Sequence, residues 1–304
     1  MDATNDLLLG VFANQGFEWI ESYMASSKSC GFRGRKILLV WNIAANVRAK
    51  LQEYGFELVD VPQGIPGGDW HCFHKNFYEY RDTLAYKFLI ERGHEFRYVL
   101  WMDIRDLIFQ TDPSVWLDKN LGDKKIVIAT ESYLIKNEQC NDNWVKNIFT
   151  PEAYARVREE EALNGGTFAG EPAEMAEIFR RTIEICKWDT HQIVEQAALN
   201  VIAREPDFTD KVIIPRLSEA FAVVGYCFGN MDKRFWLDPG PELRNGILYP
   251  KGSDVPFCIV HQYDRNRDWK YPVGDRHKIG LTPKKIRGAY AADSLTIDWW
   301  DGKN

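Results

Sequence analysis

Four short apolar runs, residues 7–13, 36–41, 56–61 and 97–102, recur through the first third of the chain with helical stretches between them. The helical stretches span 18–27, 47–54 and about 75–92, the last with Phe77, Tyr80, Leu84, Phe88 and Leu89 at helical spacing. Apolar runs of strand length separated by single helices pair in parallel through right-handed crossovers. The alternation therefore predicts an α/β fold: a Rossmann-type, mostly parallel central sheet flanked by helices. Ligands of such sheets bind beyond the carboxyl ends of the strands. That rule points to Ala13, Asn14 and Gln15, to Trp41 and Asn42, and to the residues after Met102.

The second half is less regular. A strand at 125–130 precedes a polar stretch at 137–147, and Thr150-Pro151-Glu152 reads as an N-cap, an N1 proline and an acidic first turn. Helices are expected at 173–188 and 190–203, and strands at 167–169, 212–215, 246–249 and 256–260. No repeat or linker interrupts the chain. The expectation is a single compact domain with two lobes, residues 1–130 and 131–304.

With 304 residues, 45% of them hydrophobic, the chain can bury a large core. Its 38 Lys and Arg against 44 Asp and Glu leave a net charge of -6, which excludes an extended nucleic-acid surface. Six cysteines without a close pair read as free thiols of a reducing, cytoplasmic compartment and argue against structural zinc. The amino terminus lacks a basic segment ahead of its apolar run, so that run reads as a strand and not as a signal peptide. No stretch is apolar enough for an integral membrane segment. Aromatic residues make up 13%, 11 of them Trp, an excess that suits a concave site for flat or cyclic ligands.

The most informative segment follows the fourth run. Arg97-Tyr98-Val99-Leu100-Trp101-Met102 ends abruptly in Asp103-Ile104-Arg105-Asp106 before Leu107-Ile108-Phe109 resumes. Two carboxylates at the carboxyl edge of a central strand can hold a hard divalent cation, Mg²⁺ or Mn²⁺, which takes oxygen ligands and shares them with phosphates. The alternative is a solvated turn between two strands.

Taken with its neighbours, this segment resembles the metal-binding Asp-x-Asp region of nucleotide-sugar-dependent glycosyltransferases with the GT-A fold. The matching pieces are Ala13-Asn14 after the first strand, the helix 81–89, the strand into Asp103-Ile104-Arg105-Asp106, Asn164-Gly165-Gly166, the helix 195–200 and Ile259-Val260-His261-Gln262-Tyr263, in the family's order. One position departs: Arg105 stands where the family has its second acid, which moves that carboxylate to Asp106. Either both aspartates chelate, or one touches metal while the other orders Arg105, or metal is dispensable.

The resemblance implies a GT-A-like glycosyltransferase, a hexosyl- or pentosyltransferase, that moves a sugar from a UDP- or GDP-sugar to a hydroxyl of a glycan or other acceptor. It implies Mn²⁺ or Mg²⁺ held by Asp103, Asp106 and His261, although a lone His at a strand end is also an ordinary partly buried side chain. The implied donor contacts are Ala13, Asn14, Arg81, Asp103, Ile104, Arg105, Gly165, Arg265 and Lys270. Arg81 suits a pyrophosphate because its fork matches phosphate oxygens, or else pairs with Asp82 or Glu79. Arg265, Arg267 and Lys270 form a basic lid or a solvated tail, and the two glycines after Asn164 either approach the donor sugar or make a tight turn. Glu195 is a candidate base, with Asp189 and His191 competing and Asp189 also a possible helix cap. Stereochemistry stays open: inversion needs a base such as Glu195 or Asp189, whereas retention can use Asn164 or Gln196. Trp188, Trp269 and Tyr271 are expected to stack on acceptor sugars.

Other classes fit less well. A sugar-nucleotide pyrophosphorylase should carry a glycine-rich basic loop after its first strand, where Asn14-Gln15-Gly16-Phe17 stands. An aspartyl phosphohydrolase needs its aspartates at the end of the first strand. A non-catalytic carbohydrate-binding protein explains the aromatics but not the carboxylates at a buried sheet edge.

Overall fold

The computed structural model describes residues 2–62, 70–186 and 194–278, with no side chains for 70–79. The strands are β1 (Leu7–Ala13), β2 (Arg35–Trp41), β3 (Glu57–Asp60), β4 (Val99–Met102), β5 (Leu107–Phe109), β6 (Ile126–Leu134), β7 (Glu161–Gly170), β8 (Val212–Ile213), β9 (Ala222–Val224), β10 (Glu242–Arg244), β11 (Ile247–Tyr249) and β12 (Ile259–His261). The helices are α1 (Glu21–Ser29), α2 (Ala45–Glu53), α3 (Trp70–Arg92), α4 (Pro113–Asn120), α5 (Gln139–Ile148), α6 (Pro151–Val157), α7 (Pro172–Cys186), α8 (Val194–Ile202), α9 (Pro206–Thr209), α10 (Gly225–Asn230) and α11 (Arg267–Gly274).

The main sheet has the order β3-β2-β1-β4-β7-β6-β8. All its pairings are parallel except those of β7, which runs antiparallel to both β4 and β6. Strands buried on both faces read as continuous apolar runs, and period-two alternation then sends neighbours to opposite cores. Leu7, Leu9 and Val11 of β1 join Ile37, Leu39 and Trp41 of β2 in one core, under Leu84, Phe88 and Leu89 of α3 and Ile178 and Phe179 of α7. Leu8 and Phe12 join Leu38 and Val40 in the other, under Tyr23 and Met24 of α1 and Leu51 of α2. The first half thus has the expected βαβ layering.

The second half departs from its sequence reading at several points: β6 runs on to Leu134, β8 is only Val212–Ile213, and α9, β9, α10 and β10 stand where no element is expected; two further departures bear on the site. The segment holding Asn164-Gly165-Gly166 lies inside β7, a ten-residue strand, and not only 167–169 is extended. Glycine and asparagine have low strand propensity. The extended form is imposed by pairing on both sides, to β4 and to β6. The polar stretch 137–147 makes most of α5, whose first turn is capped by Glu138 accepting from Cys140 N (3.1 Å) and Asn141 N (2.8 Å). As expected, Thr150 caps α6 ahead of Pro151.

A three-stranded sheet, β5-β12-β9, packs beside the main one. Its register sets His261 opposite Leu107, next to Asp106. The other ends of the main strands are tied differently: Asp6, fully buried, accepts from Arg97 Nε (2.8 Å) and Nη2 (2.7 Å). Among the described residues no helix is long and apolar enough to cross a membrane. The cysteines whose side chains are described, Cys30, Cys140, Cys186, Cys227 and Cys258, are free.

Candidate functional site

Three strand ends converge at the carboxyl edge of the sheet. Asp103 is the first residue after β4, and its N–H donates to the Gly166 carbonyl of β7 at 2.8 Å. Asp106 immediately precedes β5, and His261 ends β12. One ligand atom from each of these three lies within 4.8 Å of the others. His261 Nε2 stands 3.5 Å from Asp103 Oδ2 and 3.4 Å from Asp106 Oδ1. Asp103 is half-buried, while Asp106 and His261 are buried.

The backbone leaves room for this cluster at one point. A Cβ on Gly166 would overlap Asp103 Oδ2 and stand 2.7 Å from His261 Cε1. Only a glycine permits the Asp103 and His261 side chains to close over β7 there.

Charge at the site is arranged around the two aspartates. Arg81, on α3 and buried, donates from Nη1 to Asp103 Oδ1, and its Nε lies 3.8 Å from Asp82. Burial pushes the Asp103 carboxyl up, but Arg81 and His261 outweigh it and hold the group well below the usual carboxylate range. Asp106 is likewise lowered, burial being outweighed by His261 and Arg105. His261 is pushed down by burial and more strongly up by the two carboxylates, to about 9. Buried, its Nε2 has no hydrogen-bond partner although it faces two anions. Two carboxylate oxygens, an orphaned imidazole nitrogen and a cradle that excludes a side chain fit a divalent cation.

Arg105 shows how the departure from Asp-x-Asp is accommodated. Its guanidinium donates to Asp106 Oδ2 and, at 3.0 Å, to Asp264 Oδ2. Asp106 therefore orders Arg105 with one oxygen while its other oxygen faces His261.

The remaining residues singled out in the sequence fall around this cluster or outside it. Asn164, 1% exposed, bonds His261 Nδ1 through Oδ1 at 2.9 Å. Gly165 N donates to Gln196 Oε1 at 3.1 Å. Glu195 is buried near Arg81 and Asp82 and is pushed up by that burial to about 8, as Asp82 is to about 7. Both carboxyls line a cavity of about 10 Å³ with Trp101 and Gly165, room for about one water. Ala13 ends β1, and Asn14 just after it takes a left-handed φ of 56° and accepts from Asn42 Nδ2. Ile104 folds back over Gly10. Arg265 and Lys270 are exposed on the turn and helix after His261, with no side-chain hydrogen bond to the cluster among the described residues. Asp189, His191 and Trp188 lie outside the described residues. Trp269 is only 4% exposed and packs among Ile108, Val260 and Tyr263, so it is a core residue and not a stacking platform, whereas Tyr271 is exposed.

Sequence reasoning missed Glu131, Tyr133, Asn141, Thr167 and Asp264, all of which touch this site or its supports. One signal was present: Thr130-Glu131-Ser132 places a charge directly after the apolar Ile126-Val127-Ile128-Ala129 and before Tyr133-Leu134.

Neither a protein-family profile nor a curated protein sequence matches the chain. Solved structures do match it. The galactosyltransferase LgtC, in complex with donor and acceptor sugar analogs, superposes with a TM-score of 0.53 at 15% identity, over 93% of this chain and 99% of that one. The apo form of the glycosyltransferase GlyE from Streptococcus pneumoniae TIGR4 gives 0.52 at 15% identity, over 94% of this chain and 63% of that one. A mostly parallel seven-stranded sheet with Asp103 and Asp106 at its carboxyl edge, shared in outline with these enzymes along nearly the whole chain, is the GT-A glycosyltransferase fold.

Proposed function

We propose that the protein is a metal-assisted glycosyltransferase that moves a sugar from a UDP- or GDP-sugar to a hydroxyl of a glycan or other acceptor. The observation that carries this reading is His261 Nε2, buried without a partner and facing Asp103 and Asp106 beyond the strand ends. Asp103, Asp106 and His261 would hold the ion. A mixed oxygen and nitrogen set suits Mn²⁺ better than Mg²⁺, which prefers oxygen alone. When bound, the ion supplies positive charge opposite the departing diphosphate.

The chain's own residues do the rest. Arg81 keeps Asp103 ionised and aimed. Gly165 offers bare backbone to the donor sugar, next to Asn164 and Gln196. Ala13, Asn14, Ile104 and Arg105 line the donor side, and exposed Arg265 and Lys270 are the groups able to meet a pyrophosphate. Glu195 is the base in this reading: burial raises its carboxyl to about 8, so it takes a proton from an acceptor hydroxyl only in its ionised form, whose share grows as pH rises toward 8. Residues 1–130 serve chiefly the donor and 131–304 chiefly the acceptor. The solved complex of LgtC with donor and acceptor sugar analogs supports a two-substrate cleft in this fold.

The test is thermal stability of the full chain with UDP- and GDP-sugars, with and without Mn²⁺. One nucleotide class should stabilise the protein only when Mn²⁺ is present, by roughly 2.7 kcal/mol at a hundredfold excess over Kd. Asp103→Ala and Asp106→Ala should abolish that shift. No response to any nucleotide sugar would sink the reading.

A further inference from the structure

Behind the cluster lies a buried polar network that ligates nothing. Glu131 of β6 is 4% exposed, and donors converge on both its oxygens. Asn164 Nδ2 (2.8 Å) and Gln196 Nε2 (3.2 Å) reach Oε1. The Tyr133 hydroxyl and Asn141 Nδ2 (3.5 Å) reach Oε2, and Asn141 Nδ2 also donates to Tyr133 at 2.9 Å. A carboxylate at this depth persists only with such donors around it.

The network leaves the Asn164 amide one orientation. Its Oδ1 accepts from Gly166 N at 3.0 Å while its Nδ2 faces the carboxylate. Turned over, the amide would set N–H against N–H at Gly166 and oxygen against oxygen at Glu131. Oδ1 therefore faces His261 Nδ1, at 2.9 Å, as an acceptor, so Nδ1 carries a proton. Thr167 Oγ1, 3.0 Å from the same nitrogen, shares that proton. In a neutral imidazole the lone pair is then on Nε2, the atom that looks at Asp103 and Asp106.

We propose that Glu131 is a positioning residue of this site: through the Asn164 amide it fixes the His261 ring and keeps its proton on Nδ1, leaving Nε2 to the cation. Only the last clause rests on the cation-site reading above. Asn164 is the intermediary, and no direct contact between Glu131 and a ligand residue is needed.

Ring nitrogens of the full chain labelled with nitrogen-15 histidine test this without metal. The wild type should show a slowly exchanging Nδ1–H, present whether or not Nε2 is also protonated, that is absent from His261→Gln. Glu131→Gln leaves one oxygen for donors that now share two, and Glu131→Asp withdraws both oxygens by one methylene; the second variant serves if the first does not fold. In either, that N–H signal should shift or broaden, and Mn²⁺ affinity by calorimetry should fall about 10–100-fold. In an Asn164→Ala background, Glu131→Gln should change affinity less than about two-fold, because the effect passes through Asn164. An unchanged ring signal in the folded Glu131 variants overturns the proposal, as does an undiminished affinity loss in the Asn164→Ala background. A wild type that binds no Mn²⁺ but loses the ring signal on replacing Glu131 sinks the cation reading and leaves the positioning role standing.

Discussion

At the scale of single residues, Gly166 and Glu195 give the sharpest expectations. Gly166→Ala inserts a methyl group between Asp103 and His261, which must then part. Overpacking of this kind costs about 1–3 kcal/mol, and here it falls on the proposed cation site, so Mn²⁺ affinity should drop by at least about tenfold while the folded chain persists. Calorimetric titration checks it. Glu195 is raised from 4.5 to about 8, chiefly by burial. A folded value above the unfolded one means that the bound proton favours the fold: this contribution is full below 4.5 and lost as pH rises through about 8. Glu195→Gln keeps the neutral shape, so it should melt level with the wild type at the acid end of that window and several degrees above it at the alkaline end. Melting curves that stay parallel across the window would exclude the buried ionisation. The residues themselves show which parts of the site are legible in sequence. Asp103 and Asp106 stand out because charge interrupts an apolar run, whereas Thr167 and Asn141 are ordinary polar residues until the fold brings them to His261 and Glu131.

At the scale of elements, the loop between β4 and β5 and the turn after β12 are joined by Arg105, which forks between Asp106 and Asp264. Without it two carboxylates would face each other across the joint. Arg105→Ala should therefore weaken nucleotide-sugar binding in the presence of Mn²⁺ by several-fold, yet cost no more than about 1 kcal/mol of stability, because the Arg105 side chain is 36% exposed and Asp106 keeps His261 beside it. Binding and melting measured on the same variant separate the two effects. The elements also divide by how they were read. The strands β1, β2 and β4 declare themselves as runs because both faces are buried. The polar stretch of α5 hides its helix, since its start depends on the Glu138 cap and its packing face is short. For β7 the local preference of Asn164-Gly165-Gly166 points away from a strand, and pairing with β4 and β6 overrides it.

At the scale of the whole molecule, one end of the sheet is tied by an ion pair and the other carries the Asp103, Asp106 and His261 cluster. Asp6 and Arg97 lock the amino-terminal ends of β1 and β4, on the far side of the sheet from Asp103. Asp6→Asn should lower stability by about 1.5–3 kcal/mol, the loss of a charge-assisted bond at a buried carboxylate while Arg97 keeps Asp118, with Mn²⁺ affinity of the folded protein unchanged. Denaturant unfolding beside metal titration would show it, and a parallel loss of affinity would contradict the division. By itself the sequence determined the layered α/β architecture and the carboxylates beyond β4, because hydrophobic periodicity and a charge after an apolar run report local burial directly. Only the tertiary structure decided that β7 enters between β4 and β6 and that β12 pairs with β5. Those pairings join residues far apart in the chain, as Glu131 meets Asn164 and Thr167 meets His261, and the packing that selects them leaves no mark in any single stretch of sequence.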